Sequence, residues 1–236
     1  MDGRLFKDEL LYCEGKHKPW FRGKIHLASL AFAPAAVYYL RFSNSPWVYF
    51  NLVGNILCFG TSGVYHTFEW SPSTEVILQK LDHQAISIWT VAMMTPIAFD
   101  LFPTETRVKF LTILLSAFIA NSYATWSSKP STLLASSIPG SLLLFSGECW
   151  KYMSSHELTF MYLGFAFESV GTVMYTLSNK GYRLFRNDKI YGYHELFHTL
   201  SVGAAYCVYM MNYTIARAQS PSAPISVASL TQFTEI

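Results

Sequence analysis

Apolar residues in this chain come in long blocks rather than in amphipathic stripes, and this limits what the chain can fold into. Seven blocks are candidate membrane-spanning helices: residues 25–40, 47–68, 85–102, 110–126, 131–145, 158–177 and 191–213. A helix needs about 20 apolar residues to cross ~30 Å of hydrocarbon, and the first and fifth blocks are shorter than that. Pro34, Pro96 and Pro139 lie within blocks and predict kinks there.

Composition favours the same fold class. Charged residues make up 14% of the chain, whereas a soluble domain carries about 25%. We therefore predict an all-α integral membrane protein with a seven-transmembrane helix bundle at residues 25–213. A cytoplasmic N-terminal segment at residues 1–24 precedes it and a disordered tail at residues 214–236 follows. A net charge of only +2 predicts no nucleic-acid partner.

The basic residues of the connecting segments predict the orientation of the bundle. With the N-terminus in the cytoplasm, twelve of the 17 lysines and arginines fall on the cytoplasmic side and five on the other. This matches the positive-inside bias, so we expect the N-terminus inside and the C-terminus outside. The sequence is compatible with either the plasma membrane or an internal membrane, and it favours no particular oligomeric state.

Three histidines lie in the apolar blocks, where ionisable side chains are expensive and usually functional. His66 ends the second block, while His194 and His198 form an HxxxH pair at the start of the seventh. Residues four apart share one helix face, so the pair can reach one ion at the ~2.0–2.1 Å that zinc requires of imidazole nitrogen. The predicted topology brings all three to one depth. We expect a Zn²⁺ site whose fourth position holds water.

Ser62 and Asp82 fall at the same predicted depth and complete a plausible catalytic set. Asp82 is suited to accept or orient a proton of the water, and Ser62 to steady the water or a substrate oxygen. Such a set suits hydrolysis of an amide or ester in a lipid substrate that enters from the bilayer. Taken singly, each residue has an ordinary interpretation: Asp82 as a helix N-cap, Ser62 as a partner of its own backbone.

Other polar residues in the blocks have less specific interpretations. Glu168 lies in the middle of the sixth block, where a carboxyl is protonated, paired or exposed to a wet cavity. Asn55 and Asn121 are interpreted as interhelical hydrogen-bond partners. For His26 we favour a packing role over a role in the site.

These residues, in this order, resemble the hemolysin III and progestin-and-adipoQ-receptor (PAQR) superfamily, and the hemolysin III branch in particular. The matching stretches are residues 18–26, 62–66, 70–72, 81–86, 95–96 and 192–198. The resemblance implies a seven-helix bundle that holds zinc near the cytoplasmic face. It implies His66, His194 and His198 as ligands, with Asp82 and Ser62 around the metal-bound water. It also implies a relation to ceramidase-type hydrolases of lipid amides.

Three functions are compatible with these residues: a zinc-dependent hydrolase of ceramide-like lipid amides, a seven-transmembrane signalling receptor with structural zinc, and a pore-forming protein. Membrane lipids are the expected partners in each. Asp82 favours the hydrolase, because a structural zinc site is usually closed by four protein ligands. No block has a continuous polar face, which argues against a pore.

Overall fold

The computed structural model describes residues 10–13, 15, 17–41, 43, 45–127, 141–179 and 189–218. A short antiparallel hairpin of β1 (Leu10–Leu11) and β2 (His17–Lys18) precedes a bundle of helices. The helices are α1 (Lys24–Ser29), α2 (Ala33–Leu40), α3 (Pro46–Thr67), α4 (Pro72–Pro96), α5 (Thr104–Ser127), α6 (Ser146–Tyr152), α7 (Ser155–Asn179) and α8 (Tyr193–Ala218). The sequence did not predict the hairpin.

The first predicted block is helical but interrupted. A 3₁₀ turn at Leu30–Phe32 separates α1 from α2, and Pro34 lies in the first turn of α2. A proline is tolerated there because the backbone N–H that it lacks has no intrahelical partner at that position. The helix is thus interrupted at Leu30–Phe32, just before Pro34, rather than kinked at the proline itself.

The third predicted block belongs to a helix that begins much earlier than residue 85. Ser71 is the N-cap of α4 and accepts a hydrogen bond from the backbone N–H of Thr74 at 3.4 Å, and Pro72 occupies the first turn. Asp82 consequently lies inside α4, so the N-cap interpretation of Asp82 is wrong. After Pro96 the helix continues as a π-helical turn, Ile97–Leu101.

The remaining blocks correspond to single helices where the structure describes them. Helices α3, α5, α7 and α8 cover the blocks predicted at residues 47–68, 110–126, 158–177 and 191–213. Helix α8 continues to Ala218, into the segment predicted as the tail. Most of the fifth block, with Pro139, lies outside the described residues. Its end forms a 3₁₀ turn, Ser141–Phe145.

Among the described residues, two stretches are long and apolar enough to cross a membrane by length and composition. They are Pro72–Leu101, with 30 residues, and Thr104–Ser127, with 24. Large apolar side chains also cover much of the outer surface, and Phe32, Ile119, Tyr123 and Leu144 are each more than 60% exposed. Extended apolar surfaces of this kind are unfavourable in water and suit contact with lipid chains. The count of seven spans stays a prediction.

Hydrogen bonds between helices replace contact with water inside the bundle. The indole Nε1 of Trp89 donates to Asn55 Oδ1 at 2.6 Å, which joins α4 to α3. Asn121 Nδ2 donates to Ser87 Oγ at 2.7 Å, which joins α5 to α4. The interpretation of Asn55 and Asn121 as interhelical partners is confirmed, since both amides connect neighbouring helices.

Close packing of α3 on α4 predicts a stability effect at Gly54. An added Cβ there would lie 2.4 Å from the Cβ of Ala92, so Gly54→Ala must push the two helices apart. We expect a loss of about 1–3 kcal/mol of unfolding free energy, the usual range for overpacking. Thermal unfolding in detergent would measure it. Gly60→Ala is the matched control, because its nearest contact is Leu30 Cδ1 at 4.0 Å. Equal stability of the two variants would contradict this packing.

Candidate metal centre

Three segments distant in sequence meet at one end of the bundle. Lys18 Nζ donates to the Phe68 carbonyl oxygen at 2.5 Å, which joins the N-terminal segment to the connection between α3 and α4. The backbone N–H of Trp20 donates to the Lys189 carbonyl at 2.9 Å, next to the start of α8. These contacts bring the C-terminal end of α3 close to the N-terminal end of α8.

His66, His194 and His198 converge at this end. Their ring centroids lie 4.6 Å apart for His194 and His198, 4.9 Å for His66 and His194, and 5.1 Å for His66 and His198. One ligand nitrogen of each ring lies within 4.8 Å of the other two. Tetrahedral zinc holds neighbouring ligands about 3.3 Å apart at bonds of ~2.0–2.1 Å. Small side-chain movements can close that difference.

The hydrogen bonding of the three imidazoles fits a cation between them. His66 and His198 are buried, and Nδ1 of His198 has no hydrogen-bond partner among the described residues. An unpaired buried ring nitrogen is unfavourable in an apolar bundle. A metal ion shared by the three rings would satisfy the nitrogens that face one another. The residues present therefore fit a metal ion, and the group can hold one.

Asp82 and Ser62 lie beside this group. Asp82 Oδ2 is 3.4 Å from His66 Nε2, and Ser62, one turn before His66 on α3, lines the same cavity as Asp82. The described set of mutually close ligand atoms contains the three imidazoles and not Asp82. The carboxylate is thus next to the candidate metal position rather than part of the closest group. All five residues singled out in the sequence line one cavity.

Tyr12 is a contact of the site that the sequence did not reveal. Its hydroxyl oxygen lies 2.5 Å from His66 Nδ1. Burial raises the pKa of Tyr12 to about 12, so the phenol keeps its proton at neutral pH. Because Nδ1 of His66 is occupied by Tyr12, Nε2 is the nitrogen left for a metal. Tyr12 lies in a polar segment outside every matching motif, and no sequence signal marked it.

An ion pair holds Tyr12 in place. Arg22 Nη1 donates to the Tyr12 oxygen at 3.3 Å, while Arg22 Nε donates to Glu195 Oε1. The other carboxylate oxygen of Glu195 accepts the backbone N–H of Gly192 at 2.8 Å, at the start of α8. Glu195 is fully buried, so its charge needs these partners. The network connects the neighbour of His66 to the helix that carries His194 and His198.

His26 packs directly on the metal group. Its ring stacks on that of His198 with centroids 4.0 Å apart and an interplanar angle of 11°. Both ring nitrogens of His26 are buried, and neither has a hydrogen-bond partner in the part of the chain that the structure describes. The packing role expected from the sequence agrees with this position, although the residue it packs against is a candidate ligand.

The cavity that these residues line has a volume of about 440 Å³, within the usual 300–1,000 Å³ of small-molecule sites. One end is polar and carries Tyr12, Arg22 and the imidazoles. Beyond Asp82 along α4 the wall becomes more apolar, with Ile86, Trp89 and Met93, and Glu168 of α7 adds a carboxyl group near Met93. The cavity can therefore take a ligand that is polar at one end and apolar along its length.

A comparison with known protein families agrees with the resemblance seen in the sequence. The family described as haemolysin-III related matches residues 14–209. The match includes the three histidines, Asp82, Ser62 and Arg22, and it begins just after Tyr12. Members of this family are helical membrane proteins.

We expect purified protein to bind about one metal ion per chain, and the ion to be lost in His194→Ala and in His198→Ala. Each change removes one of three ligands and leaves too few to hold the ion. Metal analysis of size-exclusion fractions measures the occupancy. His83→Ala is the matched control, because His83 lines the same cavity but lies outside the group of three. A folded wild-type protein that binds no metal would exclude the centre.

Tyr12→Phe should weaken metal binding by roughly 10- to 100-fold, the usual effect of losing a hydrogen bond to a ligand's second nitrogen. Competition with a chelator of known affinity measures the change. Tyr65→Phe serves as the control, since its ring packs on His66 with centroids 4.4 Å apart. Among the described contacts, no hydrogen bond joins its hydroxyl to a candidate ligand. Equal metal affinity in the two variants would show that Tyr12 does not position His66.

Proposed function

The chain belongs to the haemolysin-III-related family, and from this membership and its metal centre we propose that it is a multi-pass membrane enzyme that hydrolyses a lipid amide. In this proposal His66, His194 and His198 hold a zinc ion near the cytoplasmic face. Asp82 and Ser62 act on the water and on the substrate. Lipid enters the cavity from the bilayer.

The position of Asp82 is the observation that carries the proposal. Zinc suits three imidazole donors, and catalytic zinc sites keep three protein ligands and an open position. The described group of close donors consists of the three imidazoles, with the Asp82 carboxylate 3.4 Å from one of them. When bound, zinc acidifies a coordinated water and polarises a carbonyl group. A carboxylate beside an open position is what general-base chemistry at that water requires.

The chain's own residues then have distinct tasks. Asp82 accepts a proton as the water oxygen forms a bond to the amide carbonyl carbon, and it returns the proton to the nitrogen as the C–N bond breaks. The products are a fatty acid and an amine. Ser62, which lines the cavity together with the carboxylate, orients Asp82. Tyr12 and Arg22 keep His66 in position through the contact at Nδ1.

The surroundings of the cavity support a lipid substrate. Its wall away from the histidines is mainly apolar, and the outside of the bundle exposes large apolar side chains. An acyl chain can therefore leave the membrane without crossing water. The relation to ceramidase-type hydrolases that the family resemblance implies supports an amide rather than an ester as the bond that is cleaved.

One observation favours a second function, a receptor with structural zinc. The three candidate ligands come from two helices, α3 and α8, so a bound ion would connect them. The ion pair of Arg22 with Glu195 adds another link at the same end. A purely structural ion would serve only to connect the helices, and Asp82 would then have no chemical role.

Asp82→Asn separates these functions. We expect the variant to keep its metal and to lose lipid-amide turnover by at least about 100-fold, the lower range for a general base. A lipidomic comparison of cells with wild-type or variant protein would show the amide that accumulates, with bound metal measured on the same samples. Asp100→Asn is the control, because Asp100 lies on the same continuous helix away from the cavity. Unchanged lipids in Asp82→Asn would favour the receptor.

A further inference from the structure

Glu168 places a carboxyl group in the wall of the cavity. Helix α7 has no other charged residue after Glu157 in its first turn, so the residue interrupts an otherwise apolar helix. An acidic side chain at this depth is expensive and usually has a function. The proposed hydrolysis uses Asp82 and the histidines, and it leaves Glu168 without a task.

The packing of α7 on α8 gives the position of Glu168 relative to the metal centre. Four residues before it, Gly164 lies against Ala204 and Val208, and three residues after it, Gly171 lies against Phe197 and Leu200. Glu168 is therefore level with Ser201 of α8, and both residues line the cavity. Ser201 follows His198 by three residues, which corresponds to about 4.5 Å along the helix axis. Glu168 therefore lies roughly one helical turn further into the cavity than the candidate metal ligands.

The hydrogen-bonding capacity of Glu168 is not used up within the protein. Its Oε1 atom is buried without a hydrogen-bond partner in the described part of the chain. None of the ion pairs among the described residues includes Glu168. One serine hydroxyl can donate a single hydrogen bond, whereas a carboxyl group has about four acceptor sites. The Glu168 carboxyl group can therefore accept a further hydrogen bond in a mainly apolar part of the cavity.

We propose that Glu168, with Ser201 beside it, is a second polar subsite that accepts a hydrogen bond from a hydroxyl group of the substrate. This subsite rests on the proposed function and specifies its substrate class. The substrate is a lipid amide with a hydroxyl group within about one helical turn of the amide. The amide lies at the metal centre, the hydroxyl at Glu168, and the hydrocarbon chain along Trp89, Met93 and Phe197.

A matched pair of lipids tests the subsite. N-oleoylethanolamine carries such a hydroxyl, and N-propyloleamide has a methyl group in its place with the same number of heavy atoms. Binding of each to the metal-loaded full chain in nanodiscs would be measured by competition. We expect the wild-type protein to prefer the hydroxylated amide by roughly tenfold, and Glu168→Met to bind the two equally. Metal content should be unchanged in the variant.

Two further variants test whether the preference depends on the acceptor oxygen of Glu168. Glu168→Gln keeps an acceptor oxygen and should retain part of the preference. Glu157→Gln changes the other acidic residue of α7, which does not line the cavity, and should retain all of it. A structural role makes the opposite prediction for stability. If Glu168 only held α7 to α8, Glu168→Met would lower the unfolding temperature, whereas removing an underused buried carboxyl should maintain or raise it.

The outcomes separate failure of the subsite from failure of the proposed function. Equal binding of the two lipids by the wild-type protein would overturn the subsite, while metal-dependent cleavage of both would leave the hydrolase intact. A hydroxyl preference that persists in Glu168→Met would also overturn the subsite. A wild-type protein that holds metal but binds and cleaves neither amide would overturn both. Where Glu168→Met does not fold, a smaller hydroxyl preference in Glu168→Gln than in Glu157→Gln supports the subsite, and an equal preference overturns it.

Discussion

The convergence of three imidazoles, two of them buried and His194 half-buried, is the constraint on which the rest of the site depends. Each ring carries nitrogens that need a partner, and the apolar side chains around them offer few. A shared metal ion would satisfy one nitrogen of each ring at once and would connect α3 to α8. The close ring contacts between His66, His194 and His198 are understandable on this basis, since imidazoles without an ion have little reason to converge there.

A second set of residues, outside the three imidazoles, orients the candidate metal ligands. Tyr12 binds the outer nitrogen of His66, Arg22 binds Tyr12, and Glu195 binds Arg22 as well as the start of α8. These groups come from a polar segment that precedes the bundle and from the helix that carries two ligands. The N-terminal segment is therefore part of the site. A fragment that begins at α1 would lack the group that positions His66.

Much of the architecture follows from patterns within single segments. Apolar blocks predicted α3, α5, α7 and α8, and Ser71 before Pro72 is a recognisable helix start. The start of α4 was placed too late, because its first turns are polar. Residues such as Glu75, Gln79 and Asp82 belong to that part of the helix and face the cavity, so hydropathy alone did not include them. The polar residues that masked the start of α4 in the hydropathy pattern are the same residues that line the cavity.

The sequence by itself determined which chemistry is available: the HxxxH pair, the serine four residues before His66, and a carboxylate just before the third apolar block. Spacing along a helix dictates which side chains share a face, so these relations need no tertiary information. Only the tertiary structure decided that Asp82 lies beside the imidazoles, that Tyr12 reaches His66, and that Glu168 shares their cavity. Those contacts depend on the rotation and packing of one helix against another and on the return of the N-terminal segment, which no local pattern encodes.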